Sequence, residues 1–580
     1  MAFRLLAPGL AFLILVALPQ SAAAAPSWLK AANLSATANG GNLDVAVDAA
    51  GDAFAVWARS GTVQAAQRPA GATWSGAQDV SGSCLDARGV DLAVSPAGRA
   101  VVVWECPKGG NTIVQAATRP PGGSWSAPHD LSAPGHDAHA PQVALDRAGD
   151  ALAVWARSNG TDVIVQAAQR RASGDWLAPE DVSGPGRDVD RPDVALNAAG
   201  NGVAVWQSSD GSNTVIQAAA RSAAGAWSAP QTLSSGGYAE RPHVGIGSAG
   251  DAVAVWSLNA GHFRTQAAVR RAGGGWAPAE TLSSAGADAF QPQVAVNADG
   301  NALAAWLSFD GRTYVVQSSS RARGGAWSGI QDLTPRSPDL GAPKVALDPA
   351  GDAVAVWRGL RSARERIQAV RRPARGAWSA PELLSGTGGD ADLPDVALDA
   401  AGNGAAIWQS GNGITWKVQA AGLDAAGPVL ARLRISGRRI PQSTLTFSVA
   451  PFDVWSALRG RPHWIFGDGA SANGRRVAHA YRSSGAYVVR VRQADALGNA
   501  TTATRRIVIA PPCVVPSVVG ETLAAAKAAI RRNDCRTGRV TRAHSASVRK
   551  GRVLKQRPGP GRRLANGAAV SLVVSRGKRG

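Results

Sequence analysis

The sequence predicts a mainly-β chain whose larger part is an eight-bladed β-propeller with four-stranded blades. Three observations carry that expectation. A seven-residue phrase recurs eight times, as GDAFAVW, GRAVVVW, GDALAVW, GNGVAVW, GDAVAVW, GNALAAW, GDAVAVW and GNGAAIW. Its tryptophans, Trp57, Trp104, Trp155, Trp206, Trp256, Trp306, Trp357 and Trp408, are spaced 47, 51, 51, 50, 50, 51 and 51 residues apart. A second series, Trp74, Trp125, Trp176, Trp227, Trp276, Trp327 and Trp378, follows each of the first seven by 17 to 21 residues. A fixed period near 50 residues is the mark of propeller blades or a solenoid.

One unit, residues 191–234, shows the elements in order. Four extended runs, DVAL, GVAVW, TVIQAAAR and AWSAPQTLS, are separated by the turn stretches NAAGN, SSDGSN and SAAG. The runs are rich in Val and Ala, lack helical spacing and are punctuated at strand intervals. Four antiparallel strands per unit is the make-up of a blade. In AVAVW, alternate side chains face opposite ways and both sets are apolar, so the strand is expected to be buried on both faces. The opening glycine of each copy fits a hairpin position of positive φ. Three residues earlier Asp48, Ser95, Asp146, Asn197, Asn297, Asp348 and Asp399 supply side chains able to cap the turn. The eighth unit lacks its second tryptophan, and Ser27-Trp28 through Asn33-Leu34-Ser35 resembles the missing strand. The N-terminal segment is therefore expected to complete the last blade within a propeller of residues 26–429.

Residues 1–25 read as a secretory signal, with Arg4, an apolar run and a small-residue cleavage region near Ala24 or Ala25. No later stretch reaches the ~20 apolar residues of a transmembrane helix. The expected location is extracellular or cell-wall associated. Four cysteines fit an oxidising compartment, and local pairing gives Cys84–Cys106 and Cys513–Cys535. No cluster has metal-ligand spacing and no calcium-loop pattern occurs, so neither metal nor cofactor is expected.

Charge divides the chain unevenly. Residues 513–580 hold 16 Lys+Arg against 2 Asp+Glu, and residues 430–512 hold 13 against 3. The remaining residues 1–429 hold 32 against 36, so the basic character belongs to the C-terminal part.

Gln64, Gln115, Gln166, Gln217, Gln266, Gln317, Gln368 and Gln419 occupy one place in all eight units. The structural reading is a buried amide bridging backbone groups; the functional reading is a ring of ligand contacts. Arg68, Arg119, Arg170, Arg221, Arg270, Arg321 and Arg372 follow four residues later, and a solvated blade edge explains them as well as an anionic ligand would. His136, His139, His243 and His262 are scattered, and Tyr238 and Tyr314 lack an evident carboxylate partner. The stretches around His136–His139 and Glu240-Arg241 stand out mildly from the repeat. No catalytic constellation, nucleophile elbow or phosphate-cradling loop is recognisable.

The repeat stops near Pro428. Trp464-Ile465-Phe466-Gly467-Asp468-Gly469, His479-Ala480-Tyr481 and Gly485-Ala486-Tyr487-Val488 resemble a PKD domain, which implies an immunoglobulin-like β-sandwich over residues 430–511. Most members of that family carry Asp where Ile465 stands. Residues 512–580 resemble a PASTA domain through Val515-Pro516-Ser517-Val518-Val519-Gly520, the stretch TLAAAKAAI from Thr522, GRVLKQRP from Gly551 and GAAVSLVVS from Gly567. That resemblance implies a small α+β fold. Leu523, Ala526 and Ile530 line one helix face fit to pack on short strands. The cysteine pair would then clip the helix to the sheet.

The function expected from these letters is non-catalytic binding in the cell envelope or outside the cell. The propeller would be a recognition surface for a glycan or protein, and residues 512–580 an anchor to peptidoglycan or an anionic wall polymer. A wall-localised glycosidase or polysaccharide lyase, and a protein-binding scaffold, are the alternatives. Nucleic acid is not an expected partner: residues 513–580 contain no Trp, Phe or Tyr on which bases would stack.

Overall fold

The computed structural model describes residues 26–35, 42–361 and 363–579; the signal-like residues 1–25 lie outside the described residues. The first part is a ring of eight antiparallel sheets. The fourth blade is representative: Asp188–Leu196, Gly202–Ser209, Thr214–Arg221 and Gln231–Thr232 pair in that order. It differs from the sequence reading at both edges. The inner strand runs past Pro192, absorbed in a bulge between Asp190 and Asp193. The outer strand shrinks to two residues plus a bridge between Arg221 and Trp227, because Pro230 within AWSAPQTLS has no N–H for a continuous ladder.

The repeated phrase builds the contact between blades. In the fifth blade Ala252, Ala254 and Trp256 pack with Val203 and Val205 of the fourth. Val253 and Val255 point the other way, against Ala302, Ala304 and Trp306 of the sixth. One strand thus contributes to two cores, one on each face, which is why both of its faces are apolar. All eight tryptophans of the first series are at most 1% exposed. The opening glycines have φ between 80° and 95°. In the turns they belong to, side chains such as Asp48 and Asn197 accept two backbone N–H groups each, at 2.9–3.0 Å.

The eighth blade is Asp390–Leu398, Gly404–Gly411 and Trp416–Asp424, and its third strand also pairs with the N-terminal segment. Ser27 and Trp28 stand opposite Asp424 and Leu423, and Ala32 and Asn33 opposite Ala420 and Gln419. Ser35 Oγ accepts the Val418 N–H at 2.9 Å. Ser81, Ser132, Ser183 and Ser234 repeat that bond within their own blades.

Residues 429–509 form a two-sheet sandwich. Val429–Ser436, Leu445–Phe452 and Arg476–His479 make one sheet. Ser471–Asn473, Leu458–Ile465, Gly485–Asp495 and Ala500–Ile509 make the other. Phe447, Trp464, Phe466 and Tyr481 fill its core, and the Tyr481 hydroxyl donates to the Phe466 carbonyl at 2.9 Å. In the last module the helix Leu523–Arg532 buries Ala526 and Ile530 against a three-stranded sheet. Thr522 caps it by accepting the Ala525 N–H. The cysteines are bonded as Cys84–Cys106 and Cys513–Cys535. Among the described residues no helix is long and apolar enough to cross a membrane.

Candidate recognition site at the channel mouth

The inner strands line the central channel, and their bulges define one end of it. In five copies the residue before the proline has a left-handed backbone: Ala140, Arg191, Arg241, Gln291 and Leu393, with φ of 48–54°. That conformation costs a non-glycine residue about 1–2 kcal/mol. It is held here by ladder pairs on both sides of the bulge, and a bulge re-aims the side chain it carries.

Each blade places one inner-strand residue opposite the position preceding its repeat tryptophan, just past the bulge in the six blades that have one. Around the ring these are Asp44, Asp91, Gln142, Asp193, His243, Gln293, Lys344 and Asp395. Four of them tie neighbouring blades. Asp44 accepts the Leu92 N–H at 2.8 Å, Asp91 that of Val143 at 2.7 Å, Asp193 that of Val244 at 2.8 Å, and Asp395 that of Val45 at 3.1 Å. The last bond joins the eighth blade to the first. His243 Nε2 meets Gln293 Nε2 at 2.9 Å, and its Nδ1 lies 3.4 Å from Asp193. Burial pushes the Asp91 carboxyl up to about 7, opposed by the Val143 N–H and raised further by Asp193. Burial, then Asp395 and Asp91, holds Asp44 well above the ordinary range.

Gln142, Asp193, His243, Gln293 and Lys344 of this ring form part of a cavity of about 550 Å³, which Glu105, Arg191, Arg241, Gln291, Arg358 and Asp392 also line. Arg358 is held by Glu365, by Asp339 at 2.8 Å and by Asp392 at 3.6 Å. Glu105 accepts from Arg88 and from the Ala140 N–H. Among the described residues the guanidinium groups of Arg191 and Arg241 pair only with their own neighbours, Asp190 at 3.5 Å and Glu240 at 3.7 Å, and stay partly exposed. Close by, the fifth and sixth blades place four half-buried rings. Phe309 stacks on Tyr314 at 4.5 Å, and Phe290 meets Phe263 and Tyr314 edge-on.

The glutamines lie elsewhere. Each stands opposite the repeat tryptophan, in mid-blade. Trp104, Trp206, Trp256, Trp306 and Trp408 donate their indole N–H to the carbonyl oxygens of Gln115, Gln217, Gln266, Gln317 and Gln419, at 3.1–3.3 Å. The amide nitrogens of Gln115, Gln166 and Gln317 donate to Asp130, Asp181 and Asp332 on the outer strand. The bridge thus runs between side chains, where the sequence reading expected backbone partners. The arginine series departs from expectation too. Arg68, Arg119 and Arg221 are buried, and Arg221 and Arg372 lie over Trp227 and Trp378. Arg119 lies over Phe54, and Arg170, Arg270 and Arg321 are half-buried, so the series is not a uniformly solvated edge. His262 and His139 stay at the rim, each facing a carboxylate at 3.5 and 3.8 Å.

Of the stretches singled out in the sequence, Glu240-Arg241 does reach the mouth, through Arg241. Arg191, Gln291 and Arg358 were missed. The signal for Arg191 and Gln291 was an x-Pro pair within the inner strand, as in Ala140-Pro141, Arg191-Pro192, Arg241-Pro242 and Gln291-Pro292; Arg358 carried none.

The PKD model matches residues 433–508 and the PASTA model residues 514–576. The C-terminal part is a PKD domain followed by a PASTA domain. The PASTA surface is strongly basic, with Arg531, Arg532, Arg536, Arg539, Arg542, Lys550 and Arg552 all exposed. Over 63 residues the chain is 40% identical to a probable serine/threonine-protein kinase of Clostridium acetobutylicum, and that match spans 11% of this chain and 10% of the kinase. Among solved structures, the BP39L lectin of Burkholderia pseudomallei is 13% identical with a TM-score of 0.44, covering 60% of this chain and all of the lectin. A polysaccharide lyase, the PL25 ulvan lyase, is 9% identical with a TM-score of 0.43, covering 61% of this chain and 98% of the lyase. The Hadza microbial sialidase Hz136 is 13% identical with a TM-score of 0.33, covering 53% of this chain and 73% of the sialidase. At these identities and scores no chemistry passes from those proteins to this one.

Proposed function

We propose that the chain is an exported, non-catalytic binding protein that recognises a saccharide polymer at the channel mouth and is held to the cell wall by its PASTA domain. One observation carries the first half. Where architecture needs a residue, the eight blades repeat it, as with the glycine, the tryptophan and the glutamine. At the mouth they differ: after the tryptophans stand Glu105 and Arg358, found in no other copy and lining the cavity, where other blades bury residues such as Ala58, Ala156 and Leu307 between blades. The left-handed position likewise varies among Gly89, Ala140, Arg191, Arg241, Gln291 and Leu393. Unlike blades thus gather charged and polar groups, Glu105, Arg191, Arg241, Gln291 and Arg358, around one cavity. Guanidinium, amide and carboxylate groups beside a patch of aromatic rings suit a polyol with apolar C–H faces. Tight grouping of few polar anchors in a concavity is the ordinary make-up of a ligand site.

The second half rests on the PASTA domain and its basic coat, +14 over residues 513–580. A wall contact raises the local concentration of the propeller over its target without any new contact between them. The test is a glycan array probed with the full chain and with an Arg191→Ala/Arg241→Ala variant. Binding of a saccharide class that the variant loses supports the reading. Binding that survives the substitutions, or none to any saccharide, contradicts it.

A further inference from the structure

At the end of the propeller away from the mouth, the PKD domain is seated on the first and eighth blades. Arg68 donates to the carbonyls of Val454 and Trp455 at 2.7 and 3.4 Å and lies 3.7 Å from the Trp455 ring centre. Val454 and Trp455 join one apolar cluster with Trp57, Leu34 and Ile407. The eighth blade departs from the repeat at this spot. Gly422 replaces a side chain, and a Cβ there would meet the Trp455 ring at 2.0 Å. Two residues on, Asp424 stands where the other copies have Pro69, Pro120, Arg171, Ser222, Arg271, Ala322 and Pro373. No other copy places a carboxylate there.

Asp424 meets two aspartates of the sandwich, Asp453 and Asp495. One carboxylate oxygen of each lies within 4.8 Å of the other two. The three residues are 1%, 5% and 0% exposed. Hydrogen bonds account for part of this group. Asp453 Oδ1 accepts the Trp455 and Ser456 N–H groups at 3.0 and 2.8 Å, and Asp495 Oδ1 accepts the Gly498 N–H at 2.6 Å. Asn499 Nδ2 reaches Asp424 Oδ1 at 3.4 Å. Asp424 Oδ2 and Asp495 Oδ2 are buried without any donor. A buried carboxylate oxygen without a partner is costly, and here two of them sit in one cluster. Among the described residues none of the three aspartates has an ion pair within 4.0 Å, and Arg68, the nearby cation, is turned to the carbonyls of Val454 and Trp455.

We propose that Asp424, Asp453 and Asp495 form a divalent-cation site, taking calcium, that locks the propeller to the PKD domain. Three carboxylates against one guanidinium leave a deficit of two charges, which a divalent ion balances. The ligands are all oxygen and come from two strand ends, one in each module, and a loop of the sandwich, an irregular set that calcium accepts more readily than magnesium. An extracellular module of this kind holds calcium with a dissociation constant on the order of 10⁻⁴–10⁻³ M.

The test uses the full chain and calcium alone, in equilibrium dialysis and in thermal unfolding with calcium or with chelator. One calcium per chain and a higher unfolding temperature with calcium are expected, and Asp495→Asn or Asp424→Ala weakens uptake about tenfold or more. No uptake by the wild type at millimolar calcium, or uptake unchanged by both substitutions, overturns the proposal. A second measurement leaves the carboxylates in place, in case those variants fail to fold. Terbium luminescence sensitised by tryptophan is expected to fall in Trp455→Phe and to be quenched by calcium. Luminescence unchanged in that variant overturns the assignment.

Discussion

Trp306 and Gln317 show what one repeated position does. The indole is fully buried, its N–H is held by the glutamine carbonyl at 3.1 Å, and the amide is held in turn by Asp332 at 2.8 Å. Gln317→Leu keeps the volume but orphans the indole N–H, so a loss of about 1–3 kcal/mol is expected in denaturant unfolding, with ligand binding unaltered. Trp306→Ala opens a cavity between two blades and costs about 3–5 kcal/mol. Asp91 gives a pH prediction. Its carboxyl is raised to about 7 in the fold, so the folded chain binds that proton more tightly than the unfolded one. The contribution is present at acid pH and is lost as pH climbs from about 4 through 7. Asp91→Asn should flatten that part of the profile and unfold at a higher temperature than the wild type at pH 8, as differential scanning calorimetry would show. At this scale the tryptophan series was legible in the sequence because a fixed period exposes it. The channel ring was not, since its members are chemically unlike and are related only by register.

Strands and the helix carry the next two expectations. The third strand of the eighth blade pairs with Ser27, Trp28, Ala32 and Asn33, so removing residues 26–35 strips its outer edge and uncovers Trp408 and Val418. Such a chain should aggregate or lose its cooperative transition, measured by size-exclusion chromatography and circular dichroism. In the PASTA domain Cys513–Cys535 closes a span of 22 residues. Its replacement by serines should cost about 3 kcal/mol, from the unfolded-chain entropy of a loop of that length. The four strands of a blade could be read from turn residues and apolar runs. Their edges could not, because a proline inside an inner strand reads as a breaker until the partner strand shows a bulge absorbing it. The two-residue outer strand has the opposite cause: Pro230 interrupts a run whose composition alone looks extended.

Across the whole molecule, the mouth and the PKD domain occupy opposite ends of the ring. Arg191, Arg241 and Arg358 open beyond the repeat tryptophans, whereas Val454 and Trp455 close on the strand ends near Gly51 and Gly422. The sandwich therefore leaves the mouth uncovered, and the basic PASTA domain follows it in the chain. Module order and the charge division were plain in the letters, because motif residues and lysine and arginine counts are local properties. The acidic trio was invisible there: Asp424, Asp453 and Asp495 are spread over 72 positions and meet only when two modules dock.

Attachment through the last module to a wall, with the propeller free to bind, is the central claim. Co-sedimentation with purified cell-wall sacculi tests it most directly, comparing the full chain with a chain ending at Ala510 at low and high salt. The full chain should pellet, lose part of its binding as salt screens the basic coat, and retain the rest, while the shortened chain stays largely in solution. Equal pelleting of both chains, or no pelleting of either, would contradict the account.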